Sequence, residues 1–202
     1  PAGRREVLNW VDRLYATMLL RRELDAIRYM RRACRKLWLQ APQEFFEELA
    51  WQWYKPLAEI AEVDPLLPET LDALRERGYE LAVVSNTFVP GSVMDRHLRE
   101  LSLIDRFPVR VYSSDVGYRK PDRRIFEVAL ERLGVSANAA TFVGDLPETD
   151  IDGARRAGLT AVWMNRDGEA TVGARSGVRQ IHRITELPAM LEQHHAAATT
   201  GD

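Results

Sequence analysis

From Glu69 to Gln193 short apolar runs alternate with helical segments, and this alternation restricts the fold more than any other property of the 202 residues. Leu81–Val84, Val109–Ser113, Thr141–Val143, Thr160–Met164 and Arg179–Ile184 read as strands. Glu69–Arg77, Val93–Leu101, Arg123–Leu133, Ile151–Ala157 and Leu187–Gln193 read as the helices around them. Gly78, Gly134 and Gly158 stand just past three of these helices, where a left-handed residue closes the last turn. Strands joined through helices must run parallel, with helices on the sheet faces, so the expectation is a doubly wound parallel α/β core.

Residues 4–62 differ in texture. Ile27, Met30, Cys34, Leu37 and Trp38 recur at helical spacing within Leu24–Leu39, Pro42 interrupts, Gln43–Trp53 resumes as helix, and Pro56 is expected to break it. The predicted organisation is a helical cap over 1–62, an α/β core over 63–193 and a frayed tail over 194–202. Hydrophobic residues at 46% and charged residues at 29% are globular values, and a net charge of −2 gives no field for nucleic acid or membrane. Cys34 is the single cysteine, which excludes an internal disulfide framework and a cysteine-based zinc site. No apolar run reaches membrane length and no signal peptide is visible, so a cytoplasmic protein is expected. The chain begins at Pro1, a start that methionine removal or truncation would each produce.

Chemistry-bearing residues collect at three strand ends. Leu81–Val84 runs into Ser85-Asn86-Thr87, small donors able to hold an anion or simply to cap a turn. After Val109–Ser113 comes Lys120 before Pro121, on non-helical backbone, followed by Asp122 as a helix N-cap. After Thr141–Val143 comes Gly144-Asp145-Leu146-Pro147-Glu148-Thr149-Asp150, an acidic strand-to-helix turn. Its Asp145 and Asp150 form an oxygen-only pair suited to Mg²⁺ rather than Zn²⁺, and open parallel sheets bind ligands at such carboxyl edges. A hydroxyl, an ammonium and two carboxylates on one edge are the parts that clamp a phosphoryl group.

These segments, namely Leu81–Asn86, Gly117–Asp122 with Ile125-Phe126, and Phe142–Asp145 to Asp150 with Gly153-Ala154 and Ala157-Gly158, resemble three sequence motifs of the haloacid dehalogenase superfamily. The resemblance spans roughly 63–190 and implies a Rossmann-like core, with 4–62 similar to that family's cap. It implies that Ser85 orients the phosphoryl group and that Asn86 touches it or the substrate. By the same resemblance Lys120 stabilises nucleophile and phosphoryl charge, Asp145 ligates Mg²⁺, and Asp150 completes the metal shell or holds Lys120. The implied activity is Mg²⁺-dependent hydrolysis of a small phosphorylated metabolite through an aspartyl-phosphate.

The family's first motif, an Asp-x-Asp pair after the first strand, has no counterpart. Glu6, Asp12, Glu23 and Asp25 lie in amphipathic helical sequence. The nucleophile is therefore expected upstream of residue 1, with the first strand of the sheet missing and the displayed chain inactive and less stable than a longer parent. A non-catalytic binding protein of the same fold and a carbon–halogen hydrolase are the alternatives. In residues 1–40, ten Lys/Arg face four Asp/Glu, and Arg21, Arg28, Arg32 and Arg35 fall on one flank of a helical wheel. They would line an anionic substrate's path or form a solvated face. Of Trp38, Phe45, Phe46, Trp51, Trp53 and Tyr54, most are expected in the core and one or two at the cleft.

Overall fold

The apolar run of β4 (Thr160–Met164) sends successive side chains to opposite faces of a sheet, and both faces are covered. Ala161 and Trp163 join one cluster with Val111, Ile125, Phe126, Ile151 and Ala154. Val162 and Met164 join a second with Leu74, Ile181, Leu187 and Leu191. A computed structural model describes residues 26–168 and 177–199, so the expectations placed on residues 4–25 lie outside the described residues.

In chain order the helices α1 (Ala26–Lys36), α2 (Gln43–Ile60) and α3 (Leu67–Glu76) precede β1 (Ala82–Ser85). Then come α4 (Gly91–Glu100), β2 (Val109–Tyr112), the single turn α5 (Ser113–Val116) and α6 (Arg123–Leu133). β3 (Thr141–Gly144), α7 (Asp152–Arg156), β4, β5 (Arg179–Ile181) and α8 (Leu187–Thr199) complete the fold. All strand pairings are parallel. β1 pairs with β2 from Ala82↔Val109 to Ser85↔Tyr112, β3 with β4 from Thr141↔Thr160 to Gly144↔Trp163, and β5 lies on the far side of β4. The α/β class read from the alternation is the observed one. The strands form two ladders, β1-β2 and β3-β4-β5, rather than one continuous sheet.

Three local readings change. Helix α2 runs through Pro56 to Ile60 instead of breaking there. Pro56 and Gln52, whose carbonyl loses its partner, both sit on the solvent side, where water replaces the missing donor. Leu37 and Trp38 leave the apolar face of α1, being 67% and 93% exposed. Trp38 takes φ 57°, and Leu39 N–H donates to the Cys34 carbonyl at 2.9 Å, the six-to-one bond that stops a helix. Helix α8 continues through His194–Thr199, six residues into the expected tail, because Ala196–Ala198 favour helix and no breaker intervenes. Residues 200–202 lie outside the described residues.

Helix α2 packs on the core through a third cluster, Ala50 and Trp51 against Val89 and Val93. The buried Trp51 carries the Arg96 guanidinium 4.2 Å over its ring, so a basic side chain of α4 covers the joint. Among the described residues no helix is long and apolar enough to cross a membrane.

Candidate active site

Lys120 is the centre of the carboxyl edge, and its backbone is fixed before its ammonium is. The Asn86 amide clamps it in both directions, accepting from Lys120 N–H at 2.7 Å and donating to the Lys120 carbonyl at 3.0 Å. The loop beyond is held where Asp122 caps α6, accepting from Arg124 N–H at 3.0 Å as the sequence predicted. The Lys120–Pro121 peptide is cis.

With its backbone pinned, the lysine side chain turns inward and is only 11% exposed. Its Nζ donates to the Val84 carbonyl at 2.8 Å and lies 3.0 Å from Asp150 Oδ1, and the Phe142 ring centroid is 5.2 Å away. One ammonium thus bridges β1, β3 and the acidic turn. An ammonium has three donors; one is hydrogen-bonded to the Val84 carbonyl while Asp150 pairs with the charge, which leaves donor capacity for a ligand oxygen.

The acidic turn reaches Lys120 because of its unusual winding. Pro147–Ile151 forms a wide π-type turn before α7, with the Leu146 carbonyl accepting from both Asp150 N–H at 2.8 Å and Ile151 N–H at 3.4 Å. That winding folds the Asp150 side chain back onto Gly144. A Cβ at Gly144 would stand 2.5 Å from Asp150 Cβ and Oδ2, so only glycine admits this approach. Asp150 Oδ2 accepts from Leu146 N–H at 3.3 Å, while Oδ1 meets the ammonium without hydrogen-bond alignment and has no other donor. Asp145 lies at the start of the turn with its side chain exposed. The indole N–H of buried Trp163 donates to the Asp145 carbonyl at 3.1 Å and holds that backbone in place.

Ser85 ends β1 opposite Tyr112 and is half-buried. The next residues are locked by fully buried Ser113, whose hydroxyl accepts from Thr87 N–H at 2.8 Å and donates to the Thr87 carbonyl at 3.1 Å. The geometry therefore brings Lys120 and Asp150 into direct contact and ties Asn86 to the Lys120 loop. Ser85 follows directly on Val84, whose carbonyl the ammonium holds, and Asp145 opens the turn that carries Asp150. Trp163, Ser113 and the Val84 carbonyl were not among the sequence candidates. A buried tryptophan's need for a hydrogen-bond partner was the one available signal.

The donor chemistry fits Mg²⁺ in part. Mg²⁺ takes oxygen ligands, commonly one or two carboxylates beside waters and phosphate. The Asp145 side chain is exposed, whereas Asp150 is paired with Lys120. Among the described residues no three His, Cys, Asp or Glu gather as a metal cluster. Among the described residues the turn thus presents one exposed carboxylate, Asp145, and one ion-paired carboxylate, Asp150.

A family profile described as hydrolase, haloacid dehalogenase-like hydrolase, matches residues 4–158. The chain is 40% identical over 121 residues to phosphoserine phosphatase of Thermus thermophilus, covering 56% of this chain and 48% of that protein. It is 33% identical over 174 residues to (S)-2-haloacid dehalogenase of Pseudomonas sp. (strain YL), covering 86% of this chain and 69% of the relative. The crystal structure of a HAD phosphatase from Thermococcus onnurineus superposes with TM-score 0.61 at 33% identity, covering 74% of this chain and 70% of that one. The chain spans about half the length of the first of these relatives. On the matched profile and the shared parallel core, this chain belongs to the haloacid dehalogenase-like hydrolases.

Proposed function

We propose that this chain belongs to a Mg²⁺-dependent phosphatase acting on a small phosphorylated metabolite. The observation that carries the reading is the buried Lys120 ammonium, held by the Val84 carbonyl and Asp150 with donor capacity to spare. Fixed charge costs no reorganisation when negative charge develops beside it, which is how preorganised sites accelerate phosphoryl transfer.

In this reading Ser85 hydrogen-bonds a phosphoryl oxygen, and Lys120 neutralises the charge on the phosphoryl group and its nucleophile. Asn86 positions Lys120 through its backbone, and Asp150 positions the ammonium. Asp145 would hold the metal, which when bound supplies charge neutralisation on the phosphate. We place the nucleophilic carboxylate on a strand preceding Pro1 that seats between β1 and β3, the two strands that Lys120 bridges. That carboxylate would attack phosphorus as the bond to the leaving oxygen breaks, and water would then hydrolyse the aspartyl-phosphate.

The test is hydrolysis of p-nitrophenyl phosphate by the full-length protein with Mg²⁺. Lys120→Ala and Asp145→Ala are each expected to lower kcat about a hundredfold or more. Undiminished turnover in both variants would reject the assignment.

A second reading has its own support. The relative matched over 86% of this chain is a haloacid dehalogenase, and commitment of Asp150 to Lys120 leaves a single carboxylate for a metal. The same carboxylate nucleophile would then displace halide from carbon. Chloride release from 2-chloropropionate, unaffected by a chelator, would select this reading over the phosphatase.

A further inference from the structure

A cleft of about 830 Å³ lies where the N-terminal helices meet the loops after β1 and β2. Its wall excludes Ser85, Lys120 and Asp145 but starts at Phe88 and Pro90, beyond β1, and Ser114 and Asp115, beyond β2. Phe88 is three positions on from Ser85, so that wall begins within about 10 Å of the serine. The opposite wall is α1, which contributes Arg28, Arg31 and Arg35. These differ from the flank the helical wheel gave, since Arg31 enters the cleft, Arg32 does not line it, and Arg21 lies outside the described residues.

Among the described lining residues Asp115 is the one carboxylate opposite Arg31 and Arg35, and it is already engaged. Asp115 Oδ1 accepts from Gly91 N–H at 3.0 Å at the start of α4 and from the Ser114 hydroxyl at 3.2 Å. The positive end of α4 therefore takes up much of its charge. Arg31 is oriented, lying 5.4 Å from the Phe46 ring centroid and bonding to the Gln43 amide oxygen, so it is not a freely waving surface side chain. Arginine pairs with carboxylate or phosphate through two parallel hydrogen bonds, and a low-dielectric cleft wall such as Phe46 strengthens them.

Resting on the phosphatase reading, we infer that the substrate carries a second anionic group, a carboxylate or second phosphate, which this arginine cleft binds while its phosphate sits at Ser85 and Lys120. The cleft thereby selects a phosphate ester that bears a second acidic group over one of the same length that ends in an alcohol.

Competition with p-nitrophenyl phosphate for the full-length protein with Mg²⁺ tests this, the inhibition constant of each probe giving its affinity. The probes are two matched pairs, 3-phosphoglycerate against glycerol 3-phosphate and 6-phosphogluconate against sorbitol 6-phosphate. Within each pair only a terminal carboxylate replaces an alcohol. The carboxylate member of at least one pair is expected to bind about tenfold tighter, the scale of one charge-assisted hydrogen-bonded pair. The double variant Arg31→Gln/Arg35→Gln should erase that preference and leave the alcohol member's affinity unchanged. Lys120→Ala should weaken both members alike. Equal affinity within both pairs, or a preference that survives the double variant, overturns the inference and leaves the phosphatase reading standing. Failure of inorganic phosphate itself to bind overturns that reading, and the inference with it. Circular dichroism confirms that the variants fold.

Discussion

The strand-end site and the helical junction beside it are built on opposite plans. Around Lys120 nearly every polar atom is spent on another part of the protein: Asn86 on its backbone, Val84 and Asp150 on its ammonium, Trp163 on the turn. At the junction, aromatic side chains lie in the open. Trp38, Phe45 and Trp53 are half to fully exposed, Phe46 is buried at the cleft, and exposed Arg35 lines the same space. Rigid charge suits a step whose transition state is the same for every substrate. An open, cationic, aromatic surface suits the part of a ligand that varies. Under the proposed function, the contrast divides chemistry at the strand ends from substrate choice at the junction.

Removing the lysine charge should break this contrast most severely. Lys120→Met leaves Asp150, 5% exposed, as a buried carboxylate without its cation. Loss of one partner of a buried pair costs about 3–5 kcal/mol, measurable by urea unfolding. The double variant Lys120→Met/Asp150→Leu should recover much of that loss, and failure to do so would show that the pair is not what holds the turn.

Next in size is Gly144→Ala. Its new Cβ would overlap Asp150, so the turn must move, at about 1–3 kcal/mol. The same displacement shifts Asp150 from Lys120, and activity of the full-length protein should fall with stability. A neutral result would mean the turn is soft, erasing the difference between the two regions.

A smaller effect concerns the joint between α2 and α4. His97 on α4 is buried, with Nδ1 2.9 Å from the Tyr54 hydroxyl of α2 and Nε2 unpartnered. Burial pushes its pKa below the ordinary 6.5, opposed by nearby Glu100 on its own helix. Below pH 6.5 the unfolded chain therefore takes up the proton more readily than the folded one, so stability falls until the folded histidine also protonates. Urea midpoints for wild type should decline from pH 7 to 5 more steeply than for His97→Gln. Parallel profiles would remove His97 as the cause.

Smallest of all is Arg35→Gln, an exposed side chain on α1, expected to change stability by less than about 0.5 kcal/mol. A large loss there would make the cleft arginine structural and dissolve the division of labour.

The sequence was informative where a rule acts over a few neighbouring residues. Helix ends at Gly78, Gly134 and Gly158, the Asp122 cap and the strands at 109, 141 and 160 follow from local backbone preference and period. Pro56 and Trp38 were misread because the same local rules ignore which side of a helix meets water and which residue can tolerate a left-handed stop. In the site, Ser85, Asn86, Lys120, Asp145 and Asp150 could be named from their places at strand ends, but the pairing among them could not. That Asn86 grips the Lys120 backbone and Asp150 grips its ammonium depends on residues 34 and 30 positions apart being brought together. Arg31 in the cleft, rather than Arg32, depends likewise on where α1 lies against the loops after β1 and β2.

The amino-acid order alone set the parallel α/β class and the residue types at each strand end, because alternation of apolar runs and helix stops is a short-range property. Only the folded chain decided which donor meets which acceptor. A buried ammonium chooses its oxygens by desolvation and distance, and both are settled when β1, β3 and the Gly144 turn pack together.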